Sequence, residues 1–322
     1  MASTVSSSVC GLSILALLGC ATTTGVPPPE TEVVVRAMTF NIRYGTAEDG
    51  PNHWDLRREL VLATLREHDH DFIGLQEALP FQIEEIAAVL PDHQVLYRTR
   101  EADPTTGEAC AIFYRADRWS LDRGRHGTFW LSETPDVPGS RSWDSALPRI
   151  ATWGRFSHRE SGARIFAFNT HFDHRGHLAR ERSAELLRER VSAEAEGAPL
   201  LVMGDFNAGE SNRAIARLRD HSESGLELVD SFRVVHPDAT DVHTLNDWGE
   251  QHQGEKIDGI FVPAGTEVVA AAILRPRFEG RTPSDHDPVT VTLRLRSGSR
   301  RAPPSTRSCR GRGSRARSSC SR

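Results

Sequence analysis

The chain has almost no lysine: of its 39 basic residues only Lys256 is one, a bias we attribute to base composition rather than function. Long apolar runs are missing as well. Leu12–Leu18 is too short to span a bilayer, which leaves no transmembrane helix to expect. Cysteine is scarce where a disulfide framework would need it. Cys10 and Cys20 lie near the start, Cys309 and Cys320 near the end, and only Cys110 falls in the body, where it is expected to pack as a small apolar residue. Positive charge is short in the body too. Eight Arg and no acid follow residue 296, so residues 1–296 carry −13 against −5 for the whole chain. Such a body is not built to hold a long polyanion by charge.

What is present begins with two distinctive ends. Residues 1–20 read as an export signal, and Leu17-Leu18-Gly19-Cys20 resembles a bacterial lipobox with Cys20 as the lipidated residue. No Lys or Arg precedes the apolar run, a departure from the usual signal. Residues 21–31 form a small, Pro-rich spacer suited to a tether. Residues 297–322 are Ser, Arg, Gly and Pro with almost nothing apolar, which predicts a disordered tail. Between them, 32–296 shows no composition break and reads as one domain.

Within that domain many short apolar runs alternate with helical patterns. Val33–Phe40, Phe72–Leu75, Ala109–Tyr114, Ile150–Phe156, Ile165–Asn169, Leu200–Met203, Ile257–Val262 and Val268–Ile273 read as strands. Val289, Val291, Leu293 and Leu295 alternate with polar residues in a last strand. Leu56, Leu60 and Ala63 predict a helix capped by Asp55; Ile83, Ile86 and Leu90 a second; Ala184, Leu187 and Val191 a third. The mixture argues α/β or α+β, with two packed sheets and outer helices.

Acid, amide and imidazole residues cluster where these strands end. Asp205 and Asn207 follow Leu200–Met203, and extended geometry would put both on one face to orient a water and hold an anionic oxygen; an Asp-Asn turn is the plainer alternative. Asp285 and His286 precede the last strand, and Asp258 on another strand is placed to hold the His286 ring as a charged donor. Glu77 and Asn41 end strands as ligands for a hard cation would. His171, His174 and His177 suggest zinc, but their spacing spans a loop, so His174 and His177 are expected in solvent. Arg149 enters a strand where it can contact a phosphate, and Trp143 nearby can cover a substrate.

In that order, Asn41, Glu77, His171, Asp205 with Asn207, Asp258 and Asp285-His286 resemble the endonuclease/exonuclease/phosphatase superfamily over residues 32–296. That group includes deoxyribonucleases, sphingomyelinases, inositol polyphosphate 5-phosphatases, deadenylases and nocturnin-like phosphatases. The resemblance implies a four-layer α/β sandwich of two mixed sheets flanked by helices. It implies Mg²⁺ or Mn²⁺ held chiefly by Glu77, with Asn41 and Asp285 nearby. Asp205 would activate water; Asn207 and His171 would stabilise the transition state; His286, braced by Asp258, would do likewise or protonate the leaving group. Glu108 sits where deoxyribonucleases carry an acid paired with their first catalytic His, which implies a pair with His171. Asn169-Thr170-His171 is the His-bearing form, unlike that of abasic-site endonucleases. Gly127–Pro135, Trp143-Asp144 and Pro148–Trp153 resemble a bacterial subgroup without an assigned substrate.

The resulting expectation is an exported, metal-dependent phosphoester hydrolase, a membrane-anchored monomer acting on a small or lipid-linked phosphoester. An extracellular nuclease is the alternative within the superfamily. A non-catalytic binding lipoprotein is the alternative of another class, and it would be expected to lack one of the catalytic positions.

Overall fold

The computed structural model describes residues 31–297 except 223, 224, 250 and 252. Of the export signal expected over 1–20, the spacer over 21–31 and the tail over 297–322, only Thr31 and Ser297 are described, paired at the ends of two strands; the rest lies outside the described residues. Among the described residues no helix is long and apolar enough to cross a membrane.

Among the described residues twelve strands form two mixed sheets. The first contains β1 (Thr31–Asn41), β2 (Phe72–Ala78), β3 (His93–Leu96), β4 (Ala109–Arg115), β11 (Glu267–Ile273) and β12 (Val289–Ser297), in the order β11-β12-β1-β2-β4-β3. The second contains β5 (Trp119–Trp130), β6 (Ile150–His158), β7 (Arg164–His171), β8 (Leu200–Asp205), β9 (Leu228–Asp230) and β10 (Asp258–Pro263), in the order β5-β6-β7-β8-β10-β9. Each sheet has one parallel pair, β1 with β2 and β7 with β8. A parallel pair needs a crossover, and a helix supplies it both times: α1 (Trp54–Glu67) and α3 (His177–Ala195). The shorter helices are α2 (Pro80–Val89), α4 (Arg213–Arg219) and α5 (Ser231–Val235).

Three apolar clusters separate four layers. One lies between the sheets and joins Val35, Phe72, Trp119, Phe156, Leu201 and Leu293. A second packs the outer face of the second sheet against α3 and α4 through Leu187, Val191 and Leu218. A third packs the first sheet against α1 and α2 through Val61, Leu65 and Ile86. The expected α/β sandwich is therefore the fold. Asn169 ties the sheets together: its Nδ2 donates to Leu75 O at 2.9 Å and Ala111 O at 2.8 Å, and its Oδ1 accepts from Gln76 Nε2 at 2.6 Å. Cys110 packs with Trp130 and Ile150.

Helix α1 departs from the sequence reading. Its cap is His53, whose ring accepts from Asp55 N, so Asp55 is already inside the helix. The buried stripe is Trp54, Arg57, Val61, Leu62 and Leu65, while Leu56 is 58 % exposed. An arginine on the buried face masked the true period. Strand β5 was not read at all: its burial is irregular and its pairing with β6 breaks between Leu121 and His126.

Candidate active site

The site lies at the C-terminal ends of both parallel pairs. Register does the first part of the assembly. His171 pairs across from Asp205 in β7/β8, and Asp205 across from Asp258 in β8/β10. Three ionisable side chains therefore line up on three neighbouring strands. His286 joins them from the loop before β12: its Nδ1 lies 2.8 Å from Asp258 Oδ2, and its Nε2 3.9 Å from Asp205 Oδ2. Asp205 Oδ2 is the shared vertex, accepting from Asn41 Nδ2 at 3.0 Å and lying 3.3 Å from His171 Nε2.

Strand geometry ends at Asp205. Asn207 has φ +46°, and its backbone N–H donates to Asp205 Oδ1 at 2.9 Å, so an Asp-Asn turn replaces the extended continuation. The Asn207 amide NH₂ donates to Phe172 O and to His171 Nε2, both at 3.0 Å, which makes Nε2 an acceptor.

The two imidazoles are driven to opposite states. Burial, then Arg149 and Arg100, hold His171 well below the usual range, so it is neutral. Burial also opposes charge on His286, but Asp258 and Asp205 outweigh it and raise His286 well above the usual range. Burial, then the neighbouring Asp258, pushes Asp205 up to about 7. A carboxyl poised near neutrality beside an imidazolium is an acid–base pair.

On the other side of Asn41 lies an oxygen cluster. Asn41 Nδ2 also donates to Glu77 Oε1 at 3.1 Å. Glu77 sits at φ +58° where the β2/β4 register breaks between Leu75 and Ala78, a bulge that turns its carboxylate toward Tyr44 N at 3.1 Å. Asp285 faces it, raised chiefly by burial and by Glu77. Arg43 lies 4.0 Å from each carboxylate. Two carboxylates and an amide at one place suit a hard divalent cation. Asp205, Asp258 and His286 also have ligand atoms within 4.8 Å of one another and could hold an ion. There the His286 Nδ1 is engaged by Asp258 and the ring already supplies a positive charge, so the Glu77–Asp285 side fits better.

A cleft of about 510 Å³ opens over both halves, and Arg43, Arg100, Leu147, Arg149 and His174 wall it. Arg149 is only 4 % exposed; its Nη2 contacts His174 Nδ1 at 3.0 Å, and its Nη1 has no hydrogen-bond partner among the described residues. Arg100 Nη1 donates to Glu108 at 2.7 Å. Burial, then Glu77, raises Glu108 to about 7 despite that arginine.

Expected residues Asn41, Glu77, His171, Asp205, Asn207, Asp258, Asp285, His286, Glu108 and Arg149 thus converge in one region. The Glu108–His171 pair does not form: Arg100 takes Glu108, while Asn207 and Asp205 take His171. Trp143 does not line the cleft. Its loop commits Asp144 to the first turn of α3, through Leu178 N and Ala179 N, and brings Leu147 and Arg149 to the wall instead. His174 is exposed as expected yet bonded to Arg149, and His177 bonds Arg180. Arg43, Arg100 and Leu147 were missed. Arg43 had a usable signal, standing two residues after Asn41; Arg100 and Leu147 sit in loops with none.

Comparison with known proteins places this geometry. A structure titled endonuclease/exonuclease/phosphatase family protein, from Bacteroides thetaiotaomicron, is 31 % identical with a TM-score of 0.74, covering 82 % of this chain and 99 % of that one. A mannosyl-6-phosphatase from the same organism is 33 % identical with a TM-score of 0.72, covering 80 % and 99 %. The Ccr4 3'-5'-exoribonuclease subunit of Neurospora crassa is 26 % identical over 190 residues, 50 % of this chain but 24 % of that much longer protein. Residues 38–286 match the Endonuclease/Exonuclease/phosphatase family, and the chain belongs to it.

Proposed function

We propose that the protein is a metal-dependent phosphatase acting on a small phosphomonoester, a sugar phosphate being the best candidate. The observation that carries this is Arg149, a buried guanidinium with an unpartnered Nη1 in the wall of the cleft that holds Asp205 and His286. Asp173 Oδ2 lies 3.6 Å from its Nε and His174 takes its Nη2, but the buried Nη1 has no hydrogen-bond partner among the described residues, a donor that an anionic oxygen would satisfy. Arg43, paired with Asp49, and Arg100, paired with Glu108, also line the cleft, while a body at −13 disfavours a long polyanion. The likeness to a mannosyl-6-phosphatase supports the same substrate class.

Glu77 and Asp285, with Asn41, would hold Mg²⁺ or Mn²⁺, which when bound supplies positive charge against phosphoryl oxygens. Asp205 takes the proton of the attacking water. His286, kept charged by Asp258, donates to a phosphoryl or leaving-group oxygen. Neutral His171 and Asn207 hold the water-side geometry, and Arg149 grips the phosphate. We further propose that the chain is exported and anchored through Cys20 as a monomer.

Purified protein incubated with Mn²⁺ or Mg²⁺ should release orthophosphate from mannose 6-phosphate and related sugar phosphates faster than it cleaves bis-p-nitrophenyl phosphate or nicks supercoiled plasmid. Robust nicking without orthophosphate release would favour the nuclease, the reading to which the exoribonuclease relative points. No metal-dependent release from any substrate would reject catalysis. For location, Cys20→Ser should shift the protein out of the membrane fraction of a bacterial host; an unchanged distribution rejects the anchor.

A further inference from the structure

Residue Arg57 belongs to no part of the chemistry above, yet it is 1 % exposed and fully engaged. From α1 it donates to four backbone carbonyls: Nε to Asn52 O at 2.9 Å, Nη1 to Ile42 O at 2.7 Å and Pro283 O at 3.0 Å, Nη2 to Arg43 O at 2.9 Å. Ile42 and Arg43 directly follow Asn41, and Pro283 stands two residues before Asp285. One guanidinium therefore joins the exit of β1 to the loop that enters β12.

Two further contacts reinforce the join. Ser284 Oγ lies 2.8 Å from Asn41 O and 3.1 Å from Asp285 Oδ1, placed to donate to either. Trp54 and Trp248 flank the Arg57 guanidinium, 5.1 and 5.2 Å from their ring centroids. The Trp248 segment in turn holds Asp285 by its backbone, with Asn246 N and Asp247 N donating to Asp285 O at 2.7 and 3.2 Å.

We propose that Arg57 and Ser284 form a clamp that sets the spacing between the Asn41–Glu77 side and the Asp285 side of the cation site. Both are positioning residues, since neither touches substrate or the reacting atoms. The proposal rests on the reading that Glu77 and Asp285 hold the divalent cation. Arginine suits the task because its planar fork points donors in fixed directions at carbonyls on two loops, which a lysine ammonium cannot reproduce. Groups that orient ligands in this way are worth roughly 10–100-fold in metal affinity.

Titration calorimetry with Mn²⁺ on the full-length protein tests it without using turnover. Arg57→Lys and Ser284→Ala should each weaken Mn²⁺ binding by roughly 10-fold. Arg233→Lys is the control: Arg233 also clamps carbonyls, those of His236, Pro237 and Ala239, but away from the cleft. It should lower the melting temperature and leave Mn²⁺ affinity unchanged. Wild-type affinity in Arg57→Lys overturns the clamp. Should that variant not fold, Ser284→Ala decides alone, and unchanged affinity there is equally fatal. Glu77→Gln separates the two readings. If Mn²⁺ binding survives it undiminished, the cation-site assignment fails and the clamp with it; if binding is lost there but intact in the clamp variants, only the clamp fails.

Discussion

In the proposed mechanism Asp205 is the residue on which the chemistry turns, and its buried carboxyl also burdens the fold. It is buried against Asp258, and its carboxyl is raised to about 7 because burial and that second acid oppose its charge. Asp205→Asn removes the proton acceptor and the repulsion together. Turnover should fall by roughly 10³-fold, the scale of a lost general base, while the melting temperature stays level or rises. A variant that keeps near wild-type rates would remove Asp205 from its role; one that unfolds would show the carboxylate to be structural. Arg149→Met should raise KM far more than it lowers kcat if the guanidinium grips substrate phosphate in the ground state. A different titration bears on stability. His70 is buried, and burial drives it down to about 3, so the folded protein keeps it neutral where an unfolded chain would protonate it near 6.5. A group whose neutral form is favoured by folding withdraws stability as pH falls. The His70 contribution is therefore complete above pH 6.5 and is lost progressively between 6.5 and about 3, amounting to a few kcal/mol. Urea denaturation at pH 7 and pH 4.5 should show a smaller loss in His70→Gln than in wild type; equal losses would discount His70.

At the scale of strands and helices, the site is precise because close-packed backbones leave its ends no room to drift. Gly204 immediately precedes Asp205, and a Cβ there would meet Thr170 O at 2.6 Å across the β7/β8 pairing. Gly204→Ala should push the two strands apart just where they present His171 and Asp205, costing about 1–3 kcal/mol as overpacking does. The loss of activity at a temperature where the variant remains folded by circular dichroism should exceed that of a comparable substitution far from the cleft. Full activity in a folded variant would show that the close approach does not set the geometry. These same strands explain what could be read without coordinates. Phe72–Leu75 and Leu200–Met203 are buried on both faces, so each is a continuous apolar run that stops abruptly at Gln76-Glu77 or at Gly204-Asp205. That contrast marks the ends of buried strands, which is where the site lies. Apart from Arg149, which stood out at a strand entry, the arginines gave no contrast, because nearly every basic residue in the chain is arginine. Arg57 differs from its many surface counterparts only in the helix face it occupies, and Arg100 only in the loop around it. The short strands β3 and β9 and helices α4 and α5 were unread for a related reason: four to seven residues carry too little period to separate from a loop, and three residues carry none.

Over the whole molecule, the first sheet is closed by its two most distant strands. β1 lies between β2 and β12, and its pairing with β12 runs from Thr31 to Thr39 against Ser297 to Val289. A chain ending at Pro288 should therefore lose more than one strand: β11 would lose the strand it pairs with among the described residues, and β1 would present an open edge. Such a fragment should be insoluble or show no cooperative melting, whereas a chain ending at 297 should melt as the full protein does; a cooperative transition in the shorter one would contradict this. The arrangement also sets a clock on synthesis. The ribosome makes β1 early and must add about 250 further residues before its partner exists, at roughly 5–20 residues per second. For that interval of some tens of seconds the nascent chain holds an unsatisfied strand, and Asp285 and His286 are among the last site residues to appear. Completion of the first sheet thus waits for β12 and depends on long-range pairing and on whatever shields the waiting edge. No product that stops short of β12 can have the first sheet complete behind the candidate site.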